Sequence, residues 1–228
     1  MHVNDNYKKI SPLITGTTTV GIVFKDGVIL AADKRASAEY VISSKRAKKI
    51  IEITPRIYIT ISGLVADCQI LARWLRQHLK QRYIIIKREP LVKEAASLLS
   101  LVMHSYFKQL LPFISHFLIA GYDRCGPHLY FLDHTGSVNE ARIGFFSSGS
   151  GSPIAYSILE TYYNKEMTEE EAIKLAIRAI ASAIRRDAAT GDGIDCVVIT
   201  KEGGRRLKPE EIEKYLKEVG LSRIEREG

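Results

Sequence analysis

The sequence has 228 residues, of which 46% are hydrophobic and 26% are charged, a balance typical of globular domains rather than disordered chains. A chain of this length buries a core without disulfide bonds, and no apolar run approaches the ~20 residues of a membrane-spanning helix. The net charge of +7 comes from 33 Lys and Arg against 26 Asp and Glu, but the basic residues are dispersed and do not alternate with aromatic residues, so we expect no nucleic-acid partner and no membrane partner.

The first half of the chain is predicted to form strands followed by two helices. Val20, Ile22 and Phe24 alternate with other residues at the two-residue period of a half-buried strand, and a fully apolar strand follows at 28–32. Further short β-branched runs predict strands at 40–43, 49–54 and 57–62. Apolar residues at helical spacing then predict one helix at 65–87 and a second from Pro90 to about Leu111.

The second half repeats this order. Strands are predicted at 117–122, 129–133, 138–143, 145–148 and 194–200, and helices at 153–163 and 209–219. Thr168 and Glu171 form a capping box that begins another helix, which ends near Asp187. No linker or repeat divides the chain, so we predict one domain. Strand runs followed by helix pairs, twice over, favour two packed sheets with helices outside them.

The cysteines and the first 16 residues bear on the compartment. Cys68, Cys125 and Cys196 are odd in number and widely spaced, which indicates a reducing compartment, and no histidine pairs with them at zinc-site spacing. Residues 1–16 contain no long apolar core of the kind that a secretory signal has. We therefore expect a cytoplasmic protein that holds no metal ion.

The segment Gly16-Thr17-Thr18-Thr19-Val20-Gly21 allows two interpretations. Because threonine favours strands, a threonine-rich edge strand is the plain one. If the peptide bond after Gly16 were cut, however, Thr17 would carry both a hydroxyl and a free α-amine. An α-amine has a pKa of roughly 8, so it could serve as the base that activates the hydroxyl. Glycine at the cut also permits a twisted backbone that a side chain would obstruct.

A series of motifs runs in order from residue 17 to about residue 200. They are GTTTVGI at 16–22, AADKR at 31–35, AKKI at 47–50, ISGLVADCQ at 61–69, GSGS at 149–152 and RDAATGDG at 186–193. Taken together, this ordered set is similar to the proteasome β-subunit family of N-terminal nucleophile hydrolases. The resemblance implies an α+β fold, a four-layer αββα sandwich of two antiparallel sheets flanked by helices.

The resemblance also divides the chain at its candidate nucleophile. It implies that Thr17 is exposed by self-cleavage after Gly16, so that residues 1–16 are a propeptide and residues 17–228 are one catalytic domain. The mature protein would then be a threonine endopeptidase made as a zymogen.

Other residues acquire roles by the same resemblance. Asp33 and Lys49 correspond to the acid–base pair beside the nucleophile, where the lysine's like charge would disfavour protonation of the α-amine. Arg35 corresponds to a structural partner that orders the same turn. The backbone N–H of Gly63 corresponds to the oxyanion donor, where the missing side chain lets a substrate approach closely.

Three further positions are implied to lie around the α-amine. Ser150 and Asp187 correspond to residues that orient the amine and its water. The family usually has serine where this chain has Thr190. Threonine keeps the hydroxyl but adds a methyl group and stiffens the rotamer, so we expect a tolerated change, with slower processing as the alternative.

The resemblance also implies a pocket for the substrate side chain that precedes the cut. Its five implied residues are all uncharged: Ala36, Ala47, Ile51, Ile61 and Val65. An uncharged pocket disfavours a charged side chain, so we expect cleavage after large hydrophobic residues.

The implied assembly is a cylinder of stacked seven-membered rings, in which this subunit would sit with other β subunits between α-subunit rings. Its substrates would be unfolded proteins, delivered by a regulatory ATPase through the α rings, and no cofactor is expected because all reacting groups are protein groups. The main alternative is a non-catalytic or weakly active β-type ring subunit, which Thr190 alone favours. A different self-processing hydrolase, such as the bacterial two-component protease, and a small-molecule amidohydrolase are the less favoured alternatives.

Overall fold

The computed structural model describes residues 16–38 and 41–221, so that nearly all of the proposed propeptide lies outside the described residues. Within these ranges the strands are β1 (Thr18–Phe24), β2 (Gly27–Asp33), β3 (Ala36–Ala38), β4 (Val41–Ser44), β5 (Ile50–Thr54), β6 (Ile57–Gly63), β7 (Ser115–Asp123), β8 (Gly126–Leu132), β9 (Val138–Glu140), β10 (Phe145–Gly149), β11 (Ile194–Thr200) and β12 (Gly203–Arg206). The helices are α1 (Val65–Ile86), α2 (Val92–Lys108), α3 (Ser152–Tyr162), α4 (Glu169–Arg186) and α5 (Pro209–Glu218).

Two five-stranded antiparallel sheets form the centre of the molecule. The first sheet has the strand order β10-β1-β2-β11-β12, and the second has the order β5-β6-β7-β8-β9. Strands β3 and β4 form a separate two-stranded ribbon. Among the described residues, no helix is both long and apolar enough to cross a membrane.

Three hydrophobic clusters define the layers. One lies between the first sheet and helices α3, α4 and α5, and a second lies between the other sheet and helices α1 and α2. The third lies between the two sheets and includes Leu30 and Val197 from one sheet and Leu118 and Leu129 from the other. The order of layers is therefore helix, sheet, sheet, helix, which confirms the predicted αββα sandwich.

The sandwich changes the expected environment of the first strand. Val20 and Ile22 face the helices, as their alternation predicts, but the opposite face of β1 is covered by the second sheet. Gly21 accommodates this contact, because a Cβ atom there would lie 2.6 Å from the Leu129 side chain. The prediction of a half-buried strand was therefore wrong, since period-two alternation does not reveal a second packed sheet.

Several predicted boundaries also differ. Strands β3 and β12 were not predicted, because each is a short segment without a β-branched apolar run. Strand β9 has three residues rather than the predicted six. Helix α2 begins two residues after Pro90, where the Glu94 carboxylate accepts a hydrogen bond from the Leu91 N–H at 2.9 Å. It ends before the predicted residue because Leu110 adopts a left-handed φ of 61°.

Candidate active site

The topology brings several predicted site residues to one edge of the first sheet. Strand β1 runs antiparallel to both β2 and β10, with Thr19 opposite Ala32 and Thr18 opposite Gly149. Thr17 directly precedes β1, so it lies beside the end of β2 and the end of β10. The residues at those ends are Asp33 and, one position beyond β10, Ser150.

Asp33 and Lys49 form a buried ion pair at this edge. Lys49 Nζ lies 2.7 Å from Asp33 Oδ1, and the two side chains are 5% and 0% exposed. The Asp33 carboxylate also accepts hydrogen bonds from the backbone N–H groups of Thr18 at 2.9 Å, Gly191 at 3.0 Å and Arg35 at 3.2 Å. These donors fix the carboxylate, and the carboxylate in turn fixes the lysine.

Burial has opposite effects on the two partners. It raises the pKa of Asp33 and lowers the pKa of Lys49, because a charge is less stable away from water. The mutual attraction of the ion pair opposes both changes. Since the pKa of Lys49 lies below that of an ordinary lysine, its ammonium group gives up a proton more readily than a solvated one does.

The peptide bond between Gly16 and Thr17 lies within reach of this pair. Lys49 Nζ donates a hydrogen bond to the Gly16 carbonyl oxygen at 3.2 Å, and Thr17 Oγ1 donates to the same oxygen at 2.7 Å. Thr17 is buried, so both donors act away from bulk solvent. A carbonyl that accepts from an ammonium group is polarised toward nucleophilic attack.

The structure leaves no space for a side chain at residue 16. A Cβ atom there would lie 1.9 Å from Ala189 Cβ and 2.4 Å from the Ala189 carbonyl oxygen. The predicted need for glycine is thus supported by the lack of space for a side chain, and the twisted backbone suggested by the sequence stays a prediction.

A second cluster of hydrogen bonds lies on the other side of Thr17. The Thr17 N–H donates to Ser150 Oγ at 3.3 Å, and Ser150 Oγ lies 2.5 Å from Asp187 Oδ2. Thr190 Oγ1 also donates to Asp187 Oδ2. Thr190 therefore supplies the hydroxyl contact that a serine would, and its methyl group does not prevent the bond.

The structure shows why residue 63 is glycine and what Arg35 binds, and the roles predicted for Gly63 and Arg35 stay predictions. Gly63 ends β6 with a φ of 115°, and a Cβ atom there would lie 2.3 Å from the Ile114 carbonyl oxygen, so no other residue fits. The Arg35 guanidinium donates from Nε to Asp192 at 2.7 Å and from Nη1 to the Ala188 carbonyl oxygen at 3.0 Å. Arg35 thus anchors the loop that carries Thr190.

The five residues predicted to line a specificity pocket lie on five segments. Ala36 is on β3 and Ala47 precedes β5, whereas Ile51 and Ile61 lie on the adjacent strands β5 and β6. Val65 begins α1 and is 42% exposed. That these five side chains form one pocket stays a prediction.

Ala47 also lines a charged cavity of about 630 Å³. The cavity's other lining residues are Lys34, Lys45, Arg46, Lys48, Asp192, Asp195 and Arg206. Both acids are already paired, Asp192 with Arg35 and Asp195 with Arg206. The cavity therefore presents an excess of positive charge next to the predicted pocket.

Three groups that contact the site have no role predicted from the sequence. Gly191 supplies an N–H to Asp33, Asp192 holds Arg35, and the Thr18 hydroxyl lies 2.7 Å from Thr190 Oγ1. Gly191 and Asp192 lie inside the RDAATGDG motif, and Thr18 lies inside GTTTVGI. Their membership of these motifs was the available signal, but only the fold shows which atoms they contact.

Comparisons with known proteins give matches over most of the chain. Residues 14–199 match a family model described as "Proteasome subunit". The chain is 48% identical over 189 residues to "Proteasome subunit beta 2" of Hyperthermus butylicus, covering 83% of this chain and 87% of that one. It is 46% identical over 201 residues to "Proteasome subunit beta" of Archaeoglobus profundus (88% and 92% covered) and 47% identical over 206 residues to that of Ferroglobus placidus (90% and 96% covered).

Proposed function

The chain belongs to the proteasome subunit family, and from that premise we propose that it is a catalytic β subunit of a proteasome core particle. It would be a threonine endopeptidase that hydrolyses peptide bonds in unfolded proteins. The observation that carries the proposal is the position of Thr17: its hydroxyl and the Lys49 ammonium group converge on the carbonyl oxygen of Gly16.

Self-cleavage would create the active N-terminus. Thr17 Oγ1 attacks the carbonyl carbon of Gly16, the bond from that carbon to the Thr17 nitrogen breaks, and the nitrogen takes a proton to become an α-amine. Water then hydrolyses the ester between Gly16 and Thr17 Oγ1, which releases residues 1–16 with a free carboxylate. The contact from Lys49 to the Gly16 oxygen supports this step, because it offsets the negative charge that develops there.

Turnover of a substrate would use the same atoms. The α-amine of Thr17 accepts the proton of its own Oγ1, which attacks the substrate carbonyl, and the amine passes that proton to the departing peptide. Water then hydrolyses the acyl-enzyme. The N–H of Gly63 is the proposed donor to the oxyanion, and Ser150 and Asp187 orient the amine, so that protein groups alone supply the chemistry.

The proposed partners are other β subunits and α subunits in stacked seven-membered rings, with a regulatory ATPase acting through the α rings. Exposed apolar side chains at the ends of two helices support assembly: Ile85 in α1 is 79% exposed and Leu110 after α2 is 88% exposed. A cytoplasmic location remains part of the proposal, since a core particle that degrades unfolded proteins would work where they arise.

The alternative of a non-catalytic ring subunit is less well supported. Thr190 was its one argument, yet the Thr190 hydroxyl keeps its contact with Asp187. A subunit that does not cut would have no catalytic use for the buried Asp33–Lys49 pair, and burying two charges costs free energy. The bacterial two-component protease is disfavoured because the similar chains are named as proteasome β subunits.

Intact-mass analysis of the assembled particle tests the proposal. The wild-type subunit should lose residues 1–16, Thr17→Ala should retain them and be inactive, and Thr17→Ser should still be cleaved because it keeps a hydroxyl. A chain that begins at Met1 and hydrolyses peptides fully would overturn the mechanism. Assembled, processed rings without peptidase activity would instead favour the non-catalytic alternative.

A further inference from the structure

The second residue of the proposed mature chain has a buried hydroxyl that the mechanism above does not use. Thr18 is fully buried, and its Oγ1 lies 2.7 Å from Thr190 Oγ1. A Cβ atom added to Gly151 would lie 2.1 Å from Thr18 Oγ1, so the side chain fits closely in its site. Among the residues that the structure describes, the hydrogen-bond partner of this hydroxyl is Thr190 Oγ1.

The direction of each hydrogen bond in this cluster follows from the number of protons. A carboxylate only accepts, so Ser150 and Thr190 each donate their single hydroxyl proton to Asp187 Oδ2. Because the proton of Thr190 is then committed, Thr190 Oγ1 accepts from Thr18 Oγ1. Ser150 Oγ likewise has its lone pairs left for the Thr17 N–H.

Thr18 also contacts the other half of the site through its backbone. Its N–H donates to Asp33 Oδ1 at 2.9 Å, on the same oxygen that binds Lys49. One residue therefore connects the Asp33–Lys49 pair to the Asp187–Ser150 pair, and it lies next to the nucleophile in the chain.

We propose that Thr18 is a positioning residue. Its hydroxyl donates a hydrogen bond to Thr190 and so stabilises the hydrogen bonds from Thr190 and Ser150 to Asp187. This arrangement directs Ser150 Oγ toward the nitrogen of Thr17. The inference rests on the proposed function, because the position of Ser150 Oγ affects catalysis only if the Thr17 nitrogen becomes the catalytic amine. Thr18 touches no substrate and acts through Thr190.

Matched variants separate the hydroxyl from the methyl group. Thr18→Val keeps the shape and removes the hydroxyl, whereas Thr18→Ser keeps the hydroxyl and removes the methyl group. Thr19→Val is the neighbouring control, because the Thr19 hydroxyl accepts from Thr60 between the two sheets and is outside this cluster. Activity is measured per processed subunit, with the processed fraction taken from intact mass, on assembled particles.

Thr18→Val should lower kcat about tenfold with KM unchanged, the effect of one net hydrogen bond. It should also move the acid limb of the plot of kcat against pH to lower pH by roughly half a unit. The reason is that a misplaced Ser150 Oγ stabilises the protonated α-amine less, which lowers the pKa of the amine. Thr18→Ser should restore both quantities, and Thr19→Val should leave the acid limb in place.

An unshifted acid limb with wild-type kcat in Thr18→Val would overturn the proposal, and so would Thr18→Ser being as impaired as Thr18→Val. If Thr18→Val does not assemble, Thr18→Ala and Thr18→Ser make the same comparison, since they differ only in the hydroxyl. Failure of the proposed function would look different, because the wild-type chain itself would then keep residues 1–16 or lack activity.

Discussion

The ammonium nitrogen of Lys49 lies 3.2 Å from the carbonyl oxygen of Gly16, the residue whose peptide bond would be cut. The same nitrogen is 2.7 Å from Asp33, so its position is set by a buried carboxylate with three backbone donors of its own. A single side chain thus reaches both the fixed partner and the reacting carbonyl, and its length and shape matter as well as its charge.

Replacing Lys49 should therefore stop both self-cleavage and turnover. We expect Lys49→Ala to lower peptidase activity by at least about a hundredfold, in the range of a lost acid–base group. Lys49→Arg should fail as well, because its planar guanidinium does not fit a site built for a compact ammonium group. Fluorogenic peptide hydrolysis and intact mass measure the two effects. The control is the exposed neighbour Lys48, and Lys48→Ala should be processed normally. Near-normal turnover of Lys49→Arg would instead show that any positive charge suffices.

Gly16→Ala should slow self-cleavage without harming the mature enzyme. Its Cβ atom would meet Ala189, so the scissile bond must shift, and a misplacement of about 1 Å costs roughly a hundredfold in rate. A mass time course measures the loss of residues 1–16. Chains that are nevertheless processed should have wild-type kcat, because residue 16 leaves with the propeptide. The double variant Gly16→Ala/Ala189→Gly should not recover fully, since the Ala189 carbonyl oxygen remains; a wild-type cleavage rate in Gly16→Ala would refute this explanation.

Sequence patterns predicted many of the strands and helices well, because hydrophobic periodicity and helix capping depend on residues that are close together in the chain. The existence of strands β1 and β2 and the capping box of α4 are each confirmed. The pattern could not predict β12, whose GGRR segment has no apolar face and is held by pairing with β11. It also could not show that β1 is covered on both faces, since that depends on a sheet formed far along the chain.

The candidate site was predictable in part because of the resemblance to a known family. Thr17, Asp33 and Lys49 lie in motifs that resemble a known family, and the structure brings these residues together. The contact of Thr18 with Thr190 joins residues 172 positions apart, so no local pattern could reveal it. Such contacts depend on how distant strands and loops are placed relative to each other in the fold, which neither segment specifies alone.

Cys68 should make stability fall at alkaline pH. Burial raises the pKa of its thiol from an ordinary value of 9.0 to about 12, so the folded chain keeps the proton that the unfolded chain loses. This contribution is fully present below about pH 9 and is lost as pH rises toward 12. Between about pH 9 and pH 10.5, the free energy of unfolding of wild type should fall by about 2 kcal/mol more than that of Cys68→Ala.

Urea unfolding in the presence of a reductant measures these slopes. Comparing slopes rather than absolute values removes the cost of the smaller side chain. Cys125→Ala is the matched control, because Cys125 is exposed in the turn between β7 and β8, and its slope should equal that of wild type. Parallel curves for wild type and Cys68→Ala would show that the buried thiol does not carry the effect.

The predicted specificity pocket should accept large hydrophobic side chains at the position before the cut. An uncharged polar group buried without a partner costs roughly 2–7 kcal/mol and a buried charge costs more, whereas a leucine gains about 2 kcal/mol on burial. The opposing influence is the cationic cavity beside Ala47, which would attract acidic side chains. We expect the uncharged wall to dominate, because Ile61 is buried at the site whereas Lys48 is exposed to screening solvent.

Fluorogenic peptides that differ only at that position make the comparison, with leucine or tyrosine set against glutamate and arginine. Processed wild type should cut the hydrophobic peptides fastest. Val65→Arg should shift the preference toward the glutamate peptide, because it places a charge in the predicted wall. Ile70→Arg is the control, since Ile70 is exposed on the same helix but outside the predicted pocket, and it should leave the preference unchanged. Faster cleavage of the glutamate or arginine peptide by fully processed wild type would mean that the five residues do not line the pocket.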